Sequence, residues 1–158
     1  MISHDALRPP QLEFAFELRV NIGPTLELGP SAGGVRRTVP ITGGVFHGPH
    51  ISGRVLPGGA DWQFVEADGL AFLDAHYVIE TEDGHRIEVR NQGVRHGSPE
   101  VLTRRADGKS VAPEEYYFRT TPRFYPATGQ CDWLKRSIFV GMGERQADLV
   151  VVRVWKLG

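Results

Sequence analysis

Between Leu12 and Ile22 the chain alternates without a break. Leu12, Phe14, Phe16, Leu18, Val20 and Ile22 are apolar, and Glu13, Glu17, Arg19 and Asn21 stand between them. Side chains of a strand point alternately to its two faces, so period two over eleven residues marks a strand with one buried and one wet face. All six apolar positions are expected to face a packed interior, with Glu13, Glu17 and Arg19 in water.

Shorter runs follow at hairpin spacing: Val35–Ile41, a glycine-interrupted Gly44–Leu56, Trp62–Val65, Leu70–Thr81, Arg86–Gly93, Tyr116–Thr121, Trp133–Val140 and Leu149–Trp155. Glu82-Asp83-Gly84 and Pro57-Gly58-Gly59 read as turns, Gly84 supplying the positive φ that a tight hairpin needs. Only Ser98–Asp107 reads as helix, with Ser98 as cap, Pro99 in the first turn, Glu100 favourable to the dipole and Gly108 at the end. The 19 glycines and 11 prolines punctuate these runs, and no repeat or linker divides residues 1–158, which read as one domain. The fold class is therefore all-β: a small closed antiparallel barrel of about eight to nine strands with one short helix, preferred to a sandwich.

Charge narrows the function. With 18 basic against 19 acidic residues, the net charge of −1 leaves no overall electrostatic footprint for nucleic acid or an anionic membrane. No apolar run approaches the ~20 residues of a spanning helix. Met1 to Pro10 shows neither a basic nor an apolar leader region, and the single Cys131 excludes an internal disulfide framework. A cytoplasmic protein without nucleic-acid or membrane partners is expected.

The wording from Gly33 onward is specific. Gly34-Val35-Arg36-Arg37-Thr38-Val39-Pro40-Ile41-Thr42-Gly43-Gly44 leads to Phe46-His47-Gly48-Pro49 and to Gly53-Arg54-Val55-Leu56-Pro57-Gly58-Gly59-Ala60-Asp61-Trp62-Gln63. Asp74, Asp83-Gly84, Asn91, Tyr117-Phe118-Arg119-Thr120, Pro122, Phe124, Trp133-Leu134, Gly141 and Gly143 follow. Over essentially its whole length this closely resembles the bacterial and fungal domain of unknown function DUF3237. The resemblance implies a small closed barrel similar to calycins or to the allene oxide cyclase barrel, and it implies no established activity. The chain departs from the family pattern at Tyr125, Cys131 and Lys135, where Glu, Tyr and Asn are usual.

Several residues could carry chemistry. Asp61 and Trp62 leave a glycine turn together: either a general base with an apolar wall at a barrel mouth, or an Asx-type turn beside a core aromatic. Asp74 and His76 share one strand face, where a carboxylate could orient an imidazole base, or both could be solvated. Tyr117 and Arg119 share a face in the next apolar run. An inward Arg119 needs a partner, with Asp61 the favoured acid and Asp74 the second, or else a ligand anion. Asn91 has the parity of Ile87 and Val89 and is a cavity candidate. Phe124, Trp133 and Tyr117 would complete aromatic walls.

No His-x-His, His-x-Glu or His-Glu-x-x-His spacing and no phosphate-binding glycine loop occurs, so neither metal nor nucleotide cofactor is expected. Nothing local activates Cys131. Three functions stay open. The first is a cofactor-independent acid–base enzyme of isomerase, cyclase, hydratase or lyase type, acting on a small carbonyl or aromatic compound. The second is a small-ligand binder or carrier, and the third a structural module, which could pair into a homodimer through apolar outer faces.

Overall fold

The structure is a computed structural model and describes residues 6–158; the first part of the N-terminal segment read for a leader lies outside them. Ten strands and one α-helix occur in the order β1 (Leu12–Ile22), β2 (Leu26–Ser31), β3 (Gly34–His47), β4 (Ser52–Val55), β5 (Ala60–Glu66), β6 (Ala71–Thr81), β7 (Arg86–Gly97), α1 (Pro99–Ala106), β8 (Tyr116–Pro126), β9 (Phe139–Arg145) and β10 (Leu149–Leu157). All pairings are antiparallel, and the β1–β3 pairing closes the sheet into a barrel of eight strands with two further strands. On one side of β3 lie β2 and then β1, and on the other β5 and then β4, end to end between β3 and β6. No helix among the described residues is long and apolar enough to cross a membrane.

The alternation of β1 holds from Phe16 onward. Phe16, Leu18 and Val20 are buried, while Arg19 and Asn21 are exposed. The register against β10 shifts between Phe14 and Phe16, and this bulge at the buried Ala15 reverses the parity. Leu12 and Phe14 therefore lie on the outer surface, where Phe14 meets Trp155 edge-on at 6.2 Å.

The sequence misses β2, a strand with little buried surface. It also splits β3 at Gly43-Gly44, where the strand continues through positive φ. At Gly44 a Cβ would meet the Arg19 carbonyl oxygen, so the closing contact between β1 and β3 requires glycine. Gly84 takes φ 89° in its hairpin, as expected. Helix α1 matches its reading: Ser98 Oγ accepts from the Val101 amide at 3.2 Å. Trp133, read as the start of a strand, lies instead in a 3₁₀ turn, Asp132–Leu134, and β9 begins at Phe139.

Two apolar clusters fill the barrel. The larger packs Phe16 against Phe46 and Phe124, with Ile79, Ile87, Val89, Leu134, Phe139 and Val154 around them. The smaller, beside α1, holds Ala71, Leu73, Val101, Tyr116 and Phe118. A cavity remains between the two.

Candidate functional site

Aliphatic side chains from four strands wall this cavity of about 50 Å³: Val20, Ile22, Val39, Ile41, Leu73, Val150 and Val152, with Phe118 beside them. Into it also point Asp61 and Gln63 from β5, Tyr77 from β6, Asn91 and Arg95 from β7, Thr120 from β8 and Arg145 from β9. Polar groups in an apolar chamber are costly to bury unless something pairs with them.

Asp61 is held from two directions. Gln63 Nε2 donates to one carboxylate oxygen at 2.6 Å, and the Asp74 amide donates to the other at 3.0 Å. Gln63 is itself fixed, its Oε1 accepting from Arg37 Nε at 2.8 Å. Burial disfavours the carboxylate more than these two bonds favour it, so the Asp61 pKa is raised above the usual 3.8. Burial, and then the Asp61 charge, push the Tyr77 hydroxyl well above its ordinary range, and it stays a neutral phenol.

Arg95 is only 4% exposed, yet among the described residues no acid forms an ion pair with it. Its guanidinium lies 5.7 Å from the Phe118 ring centroid. Burial, then the guanidiniums of Arg105, Arg37 and Arg145, lower its pKa to about 9, so it remains charged at neutral pH. Asn91 Oδ1 and Thr120 Oγ1 are buried in the cavity wall without a hydrogen-bond partner among the described residues. The chamber thus combines a carboxylate poised to hold a proton, a desolvated cation, and unspent hydrogen-bonding groups.

Of the residues singled out in the sequence, Asp61 and Asn91 line this cavity and the others do not. Asp74 and His76 share a face, but it is the outer one: Asp74 accepts a two-pronged bond from Arg90, and His76 Nε2 lies 2.6 Å from a Glu88 oxygen. The inner face of β6 is the set with Leu73, Ala75 and Tyr77. Trp62, opposite Asp74, is 54% exposed. Arg119 is not inside the barrel, and among the described residues it meets no acid. Its guanidinium lies 5.0 Å from the centroid of the exposed Tyr117 ring and donates to the Phe118 carbonyl. Phe124 is buried but belongs to the larger core cluster, and Trp133 packs on Phe139 at its margin.

Parity explains the exchange on β8. Read only to Thr121, either face of that strand could be inward. Read to its true end at Pro126, the outer set also carries Arg123 and Tyr125, which leaves Phe118, Thr120 and Phe124 inside. On β7 the parity that selects Asn91 also selects Arg95 once the strand is carried to Gly97. Cys131 is a buried thiol whose pKa burial raises.

Residues 10–157 match the family described as Protein of unknown function (DUF3237). A UPF0311 protein of Rhodopseudomonas palustris (strain TIE-1) is 42% identical over 147 residues, covering 92% of this chain and 96% of the relative. The crystal structure of a conserved protein of unknown function from Rhodopseudomonas palustris superposes with a TM-score of 0.91 at 39% identity, covering 96% of this chain and all of that one. A protein of Penicillium herquei named as a hydroalkoxylation enzyme is 38% identical over 81 residues, 51% of this chain and 54% of the relative.

Proposed function

This chain belongs to the DUF3237 family, and we propose that its barrel is an acid–base enzyme that moves a proton within an oxygen- and alkene-bearing small molecule. The observation that carries the reading is the shared cavity: Asp61 with a raised pKa and Arg95 buried without an ion-pair partner, inside apolar walls. A carboxyl group whose pKa is drawn upward is a better base when ionised and holds a proton closer to neutral pH. A desolvated guanidinium is a strong partner for oxygen that gains negative charge during a reaction.

Addition of a hydroxyl across a carbonyl-conjugated alkene uses both. Ionised Asp61 takes the proton of the attacking hydroxyl as the new C–O bond forms. The alkene electrons move onto the carbonyl oxygen, giving an enolate that Arg95 holds. Asp61 then returns its proton to carbon, which re-forms the carbonyl and leaves the enzyme unchanged. The name of the Penicillium herquei relative supports this choice among isomerisation, cyclisation, hydration and lyase reactions. A cytoplasmic location is part of the same reading.

The test is incubation of the full chain in D₂O with small hydroxylated enones and with simple enones plus alcohol. Proton NMR reads the loss of vinyl signals and the gain of one deuterium on carbon. Asp61→Asn is expected to lower turnover by about 10²–10⁴-fold, and Arg95→Met by about 10²-fold or more. Full turnover by Asp61→Asn would contradict the reading. Saturable binding without turnover by the wild type would make the barrel a carrier.

A further inference from the structure

Outside the cavity, at the α1 end of the barrel, lies a second and much larger depression of about 610 Å³. Arg37 from β3, Arg105 from α1, Lys109 from the loop beyond it and Arg145 from β9 all line it, and Glu144 is the one carboxylate in the same wall. Tyr116, whose hydroxyl accepts from the Arg145 amide at 3.1 Å, forms part of its floor. Arg145 lines both the cleft and the inner cavity, so the two adjoin at that residue.

Among the described residues, no acid forms an ion pair with these cations. Arg37 uses its Nε on Gln63, and Arg145 uses its Nε on the Gln146 carbonyl, which leaves the terminal nitrogens of both forks uncommitted. Arg105 Nε is buried with no hydrogen-bond partner among the described residues. The contrast with neighbouring Arg104 is informative, since that residue does have an acid, Glu115, at 2.6 Å. Like charges this close repel one another. Burial, and next the Arg145 charge, lower the Arg105 pKa to about 10, and burial followed by Arg37 lowers that of Arg145. Four cations from four segments gathered against one carboxylate raise the folded state's energy unless an anion joins them.

We propose that this cleft binds the phosphate group of a small phosphorylated molecule among Arg37, Arg105, Lys109 and Arg145. Three guanidinium forks offer more converging donors than one carboxylate can accept, and a dianion offsets most of the excess of positive charge. The inner cavity is small, about 50 Å³, so a ligand larger than a few heavy atoms leaves a remainder outside. If the acid–base reading of the cavity is right, the phosphate lies in that remainder and the reacting end points inward past Arg145.

Isothermal titration of the full chain at low ionic strength tests this with inorganic phosphate, pyrophosphate and citrate as probes, sodium chloride serving as the control. Phosphate and pyrophosphate are expected to bind saturably at one site. Arg105→Gln should weaken that binding at least tenfold, and the exposed Lys109→Gln should weaken it several-fold. Arg86→Gln, whose arginine bonds Glu80 and lies outside both sites, should leave it unchanged. Asp61→Asn should also retain it, so loss of turnover and loss of phosphate binding report on separate claims. Three results would overturn the proposal: no saturable binding, equal weakening by Arg86→Gln, or citrate binding as tight as pyrophosphate with the same dependence on Arg105.

Discussion

Asp61 and Arg95 face one cavity from β5 and β7 without forming an ion pair. The carboxylate is tied to Gln63 and to the Asp74 amide, and the guanidinium rests beside Phe118. Two opposite charges in an apolar chamber would ordinarily close on each other to recover the cost of desolvation. Held apart by the strands that carry them, they suit a ligand that touches both.

Stability should report the Asp61 charge directly. Its pKa is raised on folding, so between the ordinary 3.8 and the raised value the folded chain holds more proton than the unfolded one. The contribution is fully present below 3.8 and is lost as pH rises through the folded value. Asp61→Asn removes that dependence. Its melting temperature relative to wild type is expected to rise from pH 4 to pH 8, by scanning calorimetry, and a relative fall over that range would refute the assignment.

Arg95→Met should fold. Replacing an unpaired buried charge by an apolar side chain of similar length is often neutral or stabilising. Urea titration is expected to give a wild-type midpoint or a higher one. A loss of about 3 kcal/mol or more would instead show that Arg95 anchors the fold through a buried partner.

Arg119→Met should change stability by less than about 0.5 kcal/mol, because the guanidinium lies on the outer face against an exposed Tyr117. The same change at an inward, acid-paired arginine would cost several times more. Chemical denaturation separates the two.

Phe16→Ala tests the core independently of the site. Phe16 is fully buried and meets Phe46 and Phe124 edge-on at 5.9 and 5.3 Å. A loss of about 3–5 kcal/mol is expected from the cavity left behind.

The alternation of β1 and the capping signals of α1 made the all-β barrel legible, because both depend on neighbours along the chain. Asp61 and Asn91 were legible for the same reason, one leaving a turn and one sharing parity with Ile87 and Val89. The bulge at Ala15 was not, since nothing in the wording of Phe14-Ala15-Phe16 marks an extra residue. Which face of β6 and β8 turns inward was also hidden. Leu70, Phe72 and Val78 share the face of Asp74 and His76 and give it an apolar share, so the alternation there does not mark the wet side. The cationic cleft escaped because a net charge of −1 averages over the chain, whereas Arg37, Arg105 and Arg145 meet only after the barrel closes.

The central claim is that Asp61 is an acid–base group tuned by burial and facing Arg95. Carbon-13 NMR titration of the Asp61 side-chain carboxyl in the full chain measures this most directly. The expected midpoint lies above 3.8, and it should move further upward in Arg95→Met, where a facing cation that favours the carboxylate is gone. A midpoint at or below 3.8, unmoved by Arg95→Met, would contradict the account.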